Sequence, residues 1–218
     1  MNDFRSRLLA EGLGTAGLLA AVVGSGIMGQ RLAGGNDAIA LLANSLATGV
    51  TLTCLILALG PISGAHFNPA VTVVAAAGGE LTWREAGGYL GAQVVGGALG
   101  VVVANLMFDL GPVTLSTQVR TGPNLWLGEF VATTGLLAVI LLVARHRATA
   151  MPAAVGCYIT GAYWFTSSTS FANPAVTLAR ALTDTFAGIR PADVAGFVAA
   201  QAAAVAIVIL VRRGLRVR

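Results

Sequence analysis

Six long apolar segments follow one another along the 218-residue chain, separated by short stretches that carry most of the charged residues. A helix needs about 20 apolar residues to cross the hydrocarbon of a bilayer. Each segment is close to that length, although the fifth is short. The pattern therefore predicts six membrane-crossing helices, near residues 8–29, 37–60, 85–107, 125–144, 150–166 and 191–211.

Composition supports the bilayer as the solvent of this chain. Hydrophobic residues make up 56% of the sequence and charged residues 10%, and the mean hydropathy is +0.81. In ordinary soluble domains about a quarter of the residues are charged. The first segment could also be a cleaved signal peptide, because Arg5 and Arg7 precede it. Its length and Glu11 within it favour a retained helix.

A five-residue motif occurs twice in the sequence. Asn-Pro-Ala-Val-Thr is found at 68–72 and again at 173–177, which is 105 positions later. Polar residues inside the apolar segments match across the same repeat, the first and fourth segments sharing a glutamate and the third and sixth a glutamine. These pairs are Glu11 with Glu129 and Gln93 with Gln201.

The repeat predicts two related halves within a single domain spanning 1–218. Each half would hold three spans, and an odd number makes the second half enter the membrane from the opposite side. Inverted repeats of this kind are found in transport proteins. We expect the first repeat at 1–108, a connecting loop at 109–124 and the second repeat at 125–218.

Both copies of the motif lie between spans, in stretches too apolar for ordinary solvent loops. Asparagine caps a helix and proline is pre-organised at its first position, so short helices should begin at Pro69 and Pro174. Non-helical backbone at membrane depth is tolerated only where it lines water or is buried in protein. We therefore expect two re-entrant half-helices that meet near the midplane, with loop carbonyls along a pore and positive N-termini that repel cations.

The positive charges predict the orientation in the membrane. All 13 basic residues are arginines, and six spans place nine on one side and four on the other. The positive-inside rule then puts both termini in the cytoplasm. The net charge of +4 reflects this topology and contact with anionic membrane lipid, and it does not indicate nucleic acid. The larger group is Arg5, Arg7, Arg84, Arg145, Arg147, Arg212, Arg213, Arg216 and Arg218; the smaller is Arg31, Arg120, Arg180 and Arg190.

Little in the sequence indicates catalysis. It contains no Ser/His/Asp set, metal-ligand cluster or phosphate-binding loop, so we expect no enzyme, no cofactor and no metal site. Cys54 and Cys157 fall inside spans, where cysteine usually packs as a small apolar residue; capture of a thiophilic solute in a pore is the alternative. An ion-coupled secondary transporter would need intramembrane charged pairs, and only Glu11 and Glu129 lie deep in the spans.

The sequence resembles the aquaporin and aquaglyceroporin family, also called major intrinsic proteins, over essentially its whole length. The resemblance rests on Ser-Gly-Ala-His-Phe-Asn-Pro-Ala-Val-Thr at 63–72, on the second Asn-Pro-Ala at 173–175, on the paired glutamates and on the six-span arrangement. It implies an all-α membrane protein of six transmembrane helices and two re-entrant half-helices. It also implies a homotetramer with a pore for small neutral solutes in each subunit. The pore motifs would be Asn68, Pro69, Ala70, Asn173, Pro174 and Ala175, with both asparagine amides donating to the solute.

The resemblance suggests roles for three other residues. Glu11 and Glu129 would accept hydrogen bonds from the backbone of the re-entrant loops, with direct contact to the solute as the alternative. His66 would lie near the cytoplasmic mouth of the pore, where a pH gate is the alternative to a structural role.

The filter of the family is altered in this sequence. An arginine nearly always follows the second Asn-Pro-Ala, and here Val176 occupies that position. Offsets from the motifs place Thr48, Gly161 and Ser170 at the other filter positions, all of them small. A pore without a bulky ring and a guanidinium should be wider than a water-selective one. Water and glycerol would pass, and larger polar solutes become plausible.

These filter residues resemble a bacterial subgroup associated with arsenic resistance, whose members conduct trivalent arsenic hydroxide and methylated arsenicals. A general water and glycerol facilitator without an arsenic role is the alternative. The subgroup implies a multi-pass protein of the bacterial inner membrane.

Arg180 follows Val176 by four residues, so both should lie on one face of the second half-helix. There Arg180 would hold a positive charge at the outer mouth, attract oxyanions or partly replace the missing filter charge. Alternatively, it stabilises the C-terminal end of the helix and pairs with Asp184.

Overall fold

The computed structural model describes residues 3–216. Arg218, one of the nine arginines predicted to face the cytoplasm, lies outside the described residues. Eight α-helices make up most of this part of the chain, and none of its residues lies in a β-strand. Short 3-10 turns, Ala148–Ala150 and Pro191–Asp193, precede the sixth and eighth helices. The helices are α1 Phe4–Leu32, α2 Asp37–Ser63, α3 Pro69–Ala77, α4 Trp83–Met107, α5 Pro123–His146, α6 Met151–Phe165, α7 Pro174–Arg180 and α8 Val194–Arg216.

Five of the six predicted spans are long enough and apolar enough to cross a bilayer. These are α1, α2, α4, α5 and the stretch Pro191–Gly214, with 24 to 29 residues each. The fifth predicted span corresponds to α6, which has only 15 residues. At 1.5 Å per residue α6 is about 22 Å long, shorter than a hydrocarbon core of about 30 Å. The chain leaves the helix at Phe165, because the second re-entrant segment begins there.

The two half-helices begin where the repeated motif predicts. Asn68 has extended backbone and its side chain accepts a hydrogen bond from the backbone of Ala70; Asn173 does the same for Ala175 and Val176. A proline occupies the first helical position in both α3 and α7. The predicted all-α fold, with membrane helices and two half-helices set between them, is confirmed.

Small residues allow the membrane helices to approach each other closely. A Cβ atom added at Gly96 of α4 would overlap the backbone carbonyl of Gly12 in α1, and one added at Gly100 would overlap that of Ala16. Without a hydrophobic driving force between helices in lipid, this close packing of small residues supplies much of their association. The α1–α4 contact therefore depends on these two glycines.

Large apolar side chains cover the outward faces of the helices. A soluble protein of this size would rarely expose so many together, whereas lipid tails solvate them without cost. They include Leu9, Leu13, Leu46, Val50, Val95, Leu99, Leu127, Leu142 and Leu210.

The segment between α4 and α5 closes over one end of α7. Thr114 donates its backbone N–H to the carbonyl of Leu182 at 3.0 Å, and Arg190 donates to that of Gln118 at 2.7 Å. These bonds hold the connecting loop against the chain that follows α7. The loop thereby helps to position residues at that end of the half-helix.

We expect Gly96→Ala to destabilise the protein by about 1–3 kcal/mol, because the added methyl group must displace the α1 backbone. Gly91→Ala in the same helix is the matched control, since a Cβ there meets nothing within 4 Å. Thermal unfolding in detergent, followed by circular dichroism, measures the difference. Equal midpoints for the two variants would contradict the proposed importance of the α1–α4 contact.

Candidate functional site

A cavity of about 300 Å³ runs alongside both half-helices. It reaches from Glu80 and Arg212, beyond the C-terminal end of α3, to Arg180 at the C-terminal end of α7. Because the two half-helices enter from opposite sides, these ends face opposite sides of the membrane. The walls are mainly apolar and include Leu18, Val22, Leu52, Ile56, Leu136, Leu137, Ile140, Val155 and Ile159.

The two motif asparagines meet in the middle of this cavity. Asn68 donates from Nδ2 to the carbonyl of Ala172 at 2.8 Å, and Asn173 donates from Nδ2 to that of Phe67, also at 2.8 Å. Each half-helix is thus tied to the loop of the other half. An amide nitrogen carries two hydrogens, so each asparagine keeps one donor for a group in the cavity that both of them line.

Two buried glutamates hold the re-entrant loops. Glu11 accepts from the backbone of His66 at 2.9 Å and of Phe67 at 2.8 Å. Glu129 accepts from Phe171 at 2.8 Å and Ala172 at 2.9 Å. Neither carboxylate is exposed and neither lines the cavity.

Each glutamate also has a glutamine partner. Gln93 donates to Glu11 at 2.8 Å, and Gln201 donates to Glu129 at 2.6 Å. The same glutamines donate to threonines of the half-helices, Thr72 at 3.0 Å and Thr177 at 2.9 Å. A matching polar network therefore supports each loop from the neighbouring membrane helix.

The loop backbone adopts an unusual conformation in both halves. Ala65 and Phe67 have φ of 50° and 48°, and the matching Ser170 and Ala172 have 50° and 48°. A non-glycine residue in this left-handed region costs about 1–2 kcal/mol. The hydrogen bonds to the buried glutamates offset that cost, and the turned backbone allows loop carbonyls to meet the asparagine amides.

Three of the four predicted filter residues line the cavity: Thr48, Ser170 and Val176. Gly161 does not. It is exposed, and a Cβ added there would meet nothing within 4 Å. The Gly161 assignment needs correction, because an offset counted from the motif does not give the rotational position of a residue on α6.

Helix α6 turns a different set of residues toward the cavity. Its lining residues are Met151, Val155, Ile159 and Tyr163, spaced by four as one helix face requires. Gly161 lies two positions from Ile159 and Tyr163, and so on the opposite side of the helix. The Tyr163 hydroxyl is 3.3 Å from the Thr48 hydroxyl across α2 and α6. Sequence reasoning missed Tyr163.

Charged and polar groups mark the end of the cavity near α3. His66 lines it, with Nδ1 at 3.1 Å from the hydroxyl of Thr72. Arg212 of α8 forms a salt bridge with Glu80 at 2.9 Å, and both side chains line the same end. This pair was also missed, although charges at the ends of apolar segments are a visible signal in the sequence.

Arg180 lies at the other end of the cavity. It is 2% exposed, its Nε donates to the carbonyl of Ala187, and its Cζ lies 3.4 Å from the centre of the Phe171 ring. It forms no ion pair with Asp184, whose carboxylate accepts instead from the backbone of Thr117 at 2.8 Å. The alternative pairing from the sequence is therefore wrong.

Neither cysteine lines the cavity. Cys54 and Cys157 are exposed free thiols on the outer faces of α2 and α6. Within residues 3–216, no group of three or more His, Cys, Asp or Glu residues could hold a metal ion.

Comparisons with known proteins agree with this geometry. Residues 1–170 match the family described as major intrinsic protein. The chain is 57% identical over 199 residues to the aquaglyceroporin AqpS of Rhizobium meliloti (strain 1021). The matched region covers 91% of this chain and 85% of AqpS. It is 36% identical over 152 residues to the aquaporin NIP3-1 of Arabidopsis thaliana, covering 63% of this chain and 47% of that protein.

A solved structure shares the fold. The X-ray structure of the aquaglyceroporin from Plasmodium falciparum superposes with a TM-score of 0.68 at 20% identity, over 81% of this chain and 79% of that one.

We expect Glu129→Gln to lower both stability and solute flux. Glutamine has one acceptor oxygen in place of two, so at least one buried N–H of the second loop loses its partner, at about 1–3 kcal/mol. Unfolding in detergent and glycerol permeability of proteoliposomes measure the two effects. Asp109→Asn is the control, because Asp109 is exposed in the connecting loop. A Glu129→Gln protein with normal stability and flux would show that the loop does not need this carboxylate.

Proposed function

Because the chain belongs to the major intrinsic protein family, we propose that it conducts small uncharged polar solutes through a filter wide enough for glycerol and for neutral hydroxides of trivalent arsenic. The chain is a multi-pass membrane channel for small solutes, and members of the family are channels rather than enzymes. The observation that carries the proposal is the cavity wall beside the second motif, where Val176 lies near Asn173. The short valine side chain extends less far into the cavity than an arginine would.

The chemistry of the cavity favours neutral solutes. Its apolar walls give little to replace the hydration of an ion, and removing a charge from water without compensation is costly. Asn68 and Asn173 each offer a spare N–H to a hydroxyl oxygen. A molecule with several hydroxyl groups and no charge matches such a path, since it bonds to the amides on one side and contacts apolar walls on the other.

The proposed width rests on the small filter residues. Thr48, Ser170 and Val176 line the cavity, and the hydroxyl groups of Thr48 and Ser170 add polarity without bulk. Glycerol, trivalent arsenic hydroxide and the trivalent methylated arsenicals are all neutral hydroxylated molecules of comparable size. The resemblance to the bacterial subgroup associated with arsenic resistance supports the arsenicals as solutes.

One observation favours the narrower alternative, a general water and glycerol facilitator without an arsenic role. Tyr163, Phe171 and Arg180 also line the cavity near the same filter residues. Their bulk would restrict solutes larger than glycerol.

We further propose that His66 and Arg180 lie at the cytoplasmic and outer mouths of the pore, with both termini in the cytoplasm of a bacterial cell. The protein would be a homotetramer in the inner membrane, surrounded by lipid. The broad apolar faces of the helices support contact with lipid and with neighbouring subunits. Native mass spectrometry from detergent tests the assembly, and a mass other than that of four 22.0 kDa chains would contradict it.

We expect Val176→Arg to reduce permeability to glycerol and to a methylated trivalent arsenical at least about tenfold, a barrier increase of about 1.4 kcal/mol, while water still passes. The arginine would add a long charged side chain to the cavity wall beside Asn173. Light scattering of proteoliposomes measures water and glycerol, and arsenic analysis of filtered vesicles measures the arsenical. Val176→Leu is the matched control for added bulk without charge.

The results separate the parts of the proposal. A wild-type protein that passes no glycerol refutes the channel function as stated. Glycerol flux without arsenical flux supports the general facilitator instead. Equal behaviour of wild type and Val176→Arg would show that the constriction lies elsewhere.

A further inference from the structure

Arg180 has an unusual environment for a buried arginine. It lies at the end of α7 with only 2% of its surface exposed, yet it forms no salt bridge with a carboxylate anywhere in residues 3–216. An isolated buried charge is costly unless something solvates it. The groups around the guanidinium therefore show how its charge is stabilised and which of its N–H groups remain for a ligand.

Two contacts fix the guanidinium in place. Its Cζ lies 3.4 Å from the centre of the Phe171 ring, a separation that is possible only over the face of the ring, because an in-plane approach would collide with ring atoms. A cation over an aromatic face is attracted by the ring electrons. The Nε group donates to the carbonyl of Ala187. Phe171 is itself held edge to face by Phe197 of α8, with ring centres 5.0 Å apart.

The two terminal nitrogens of Arg180 remain for the cavity. They make no hydrogen bond with any side chain or backbone group in the described part of the chain, whereas Nε is bonded. Arg180 lines the cavity together with Val176 and Asn173. Four N–H bonds of a nearly buried guanidinium are thus available to a molecule in the cavity.

The charges around Arg180 leave this region positive. Arg120 of the connecting loop lies over the same Phe171 ring, at 5.3 Å, and donates from Nε to the carbonyl of Gly188 at 2.7 Å. Glu129 accepts from the backbone of Phe171 itself, and its oxygens also accept from Ala172 and Gln201.

We propose that Arg180 is the specificity-determining cation of this pore, which replaces the arginine absent at 176 from one helical turn further along α7. Its terminal N–H groups donate to hydroxyl oxygens of neutral solutes and its charge excludes cations, protons included. Phe171 acts as a positioning residue that holds the guanidinium against the wall. The pore is thus open beside Asn173, where Val176 lies, and solutes are selected by the charge of Arg180. This inference rests on the proposed channel function.

Charge and hydrogen bonding are separable by substitution. Arg180→Gln keeps an N–H donor but removes the charge, whereas Arg180→Lys keeps the charge. Arg31→Gln is the matched control, since Arg31 is an exposed arginine that does not line the cavity. Proteoliposomes loaded with a pH-sensitive dye, with the membrane potential set by potassium and valinomycin, report proton flux. Glycerol permeability of the same vesicles reports the open pore.

We expect Arg180→Gln to raise the ratio of proton flux to glycerol permeability about tenfold, because the charge is lost whereas an N–H donor for the glycerol hydroxyls is kept. Arg180→Lys and Arg31→Gln should keep the low proton flux. The double variant Val176→Arg with Arg180→Gln should return proton flux to the wild-type level, because it moves the charge back by one turn. Proton flux in Arg180→Gln equal to that of the wild type, in vesicles that conduct glycerol, overturns the inference. Vesicles of the wild type that pass no glycerol overturn the channel proposal instead.

The role of Phe171 has its own measurement. Phe171→Leu keeps an apolar side chain but removes the aromatic face, so proton flux should rise as in Arg180→Gln. Phe171→Tyr should restore the wild-type value, because the face is retained. A merely structural role would lower glycerol permeability in Phe171→Leu and leave the proton-to-glycerol ratio unchanged, and that result would remove Phe171 from the proposal.

Discussion

The backbone of two re-entrant segments lies at membrane depth without a helix to satisfy its peptide groups, and the rest of the molecule depends on solving that problem. Each unsatisfied group in hydrocarbon costs several kcal/mol. The solution is a buried carboxylate in each half, Glu11 or Glu129, which accepts two adjacent backbone N–H groups. A carboxylate suits this task because it offers only acceptors. The glutamines of α4 and α8 supply further donors, so each carboxylate accepts N–H groups from two elements, a re-entrant loop and a membrane helix.

Once the loops are held, the pore follows from local geometry. The left-handed residues turn loop carbonyls toward the opposite asparagine, and each asparagine then bonds to its own half-helix and to the loop of the other half. Two of the three polar hydrogen-bonding groups of each amide side chain are committed in this way, which fixes its orientation. The remaining N–H is available to a molecule in the cavity that both asparagines line. The support of the loops, the hydrogen bonds between the two halves and the contact with solute are therefore consequences of one arrangement, which is repeated with inverted direction.

The sequence predicted those features whose physical cause is local or repeated. Asn-Pro favours a helix start, as at Pro69 and Pro174. Residues matched across the repeat, such as Glu11 and Glu129, have matching contacts. Features that depend on tertiary position were missed. An offset from Asn173 placed Gly161 at the filter, but the early end of α6 and the left-handed loop after it set which face of α6 meets the cavity, and Tyr163 lies there. One alternative drawn from the sequence paired Arg180 with Asp184, yet the connecting loop brings Thr117 to that carboxylate, which no local pattern indicates.

The spacing of an α-helix explains how a filter can lose an arginine at one position and keep its charge. Residues four apart on α7 share a face, so Val176 and Arg180 border the same cavity although only Arg180 is long enough to reach along it. A long side chain at the end of a short helix needs a rigid support, or it would extend into solvent. Phe171 and the Ala187 carbonyl give that support. Phe171 belongs to the re-entrant loop that Glu129 holds, and Ala187 precedes Gly188, whose carbonyl accepts from Arg120 of the connecting loop. In the proposed arrangement the charge moves outward by one turn without any change in the fold, because Val176 borders the cavity beside Asn173 and Arg180 borders it beyond.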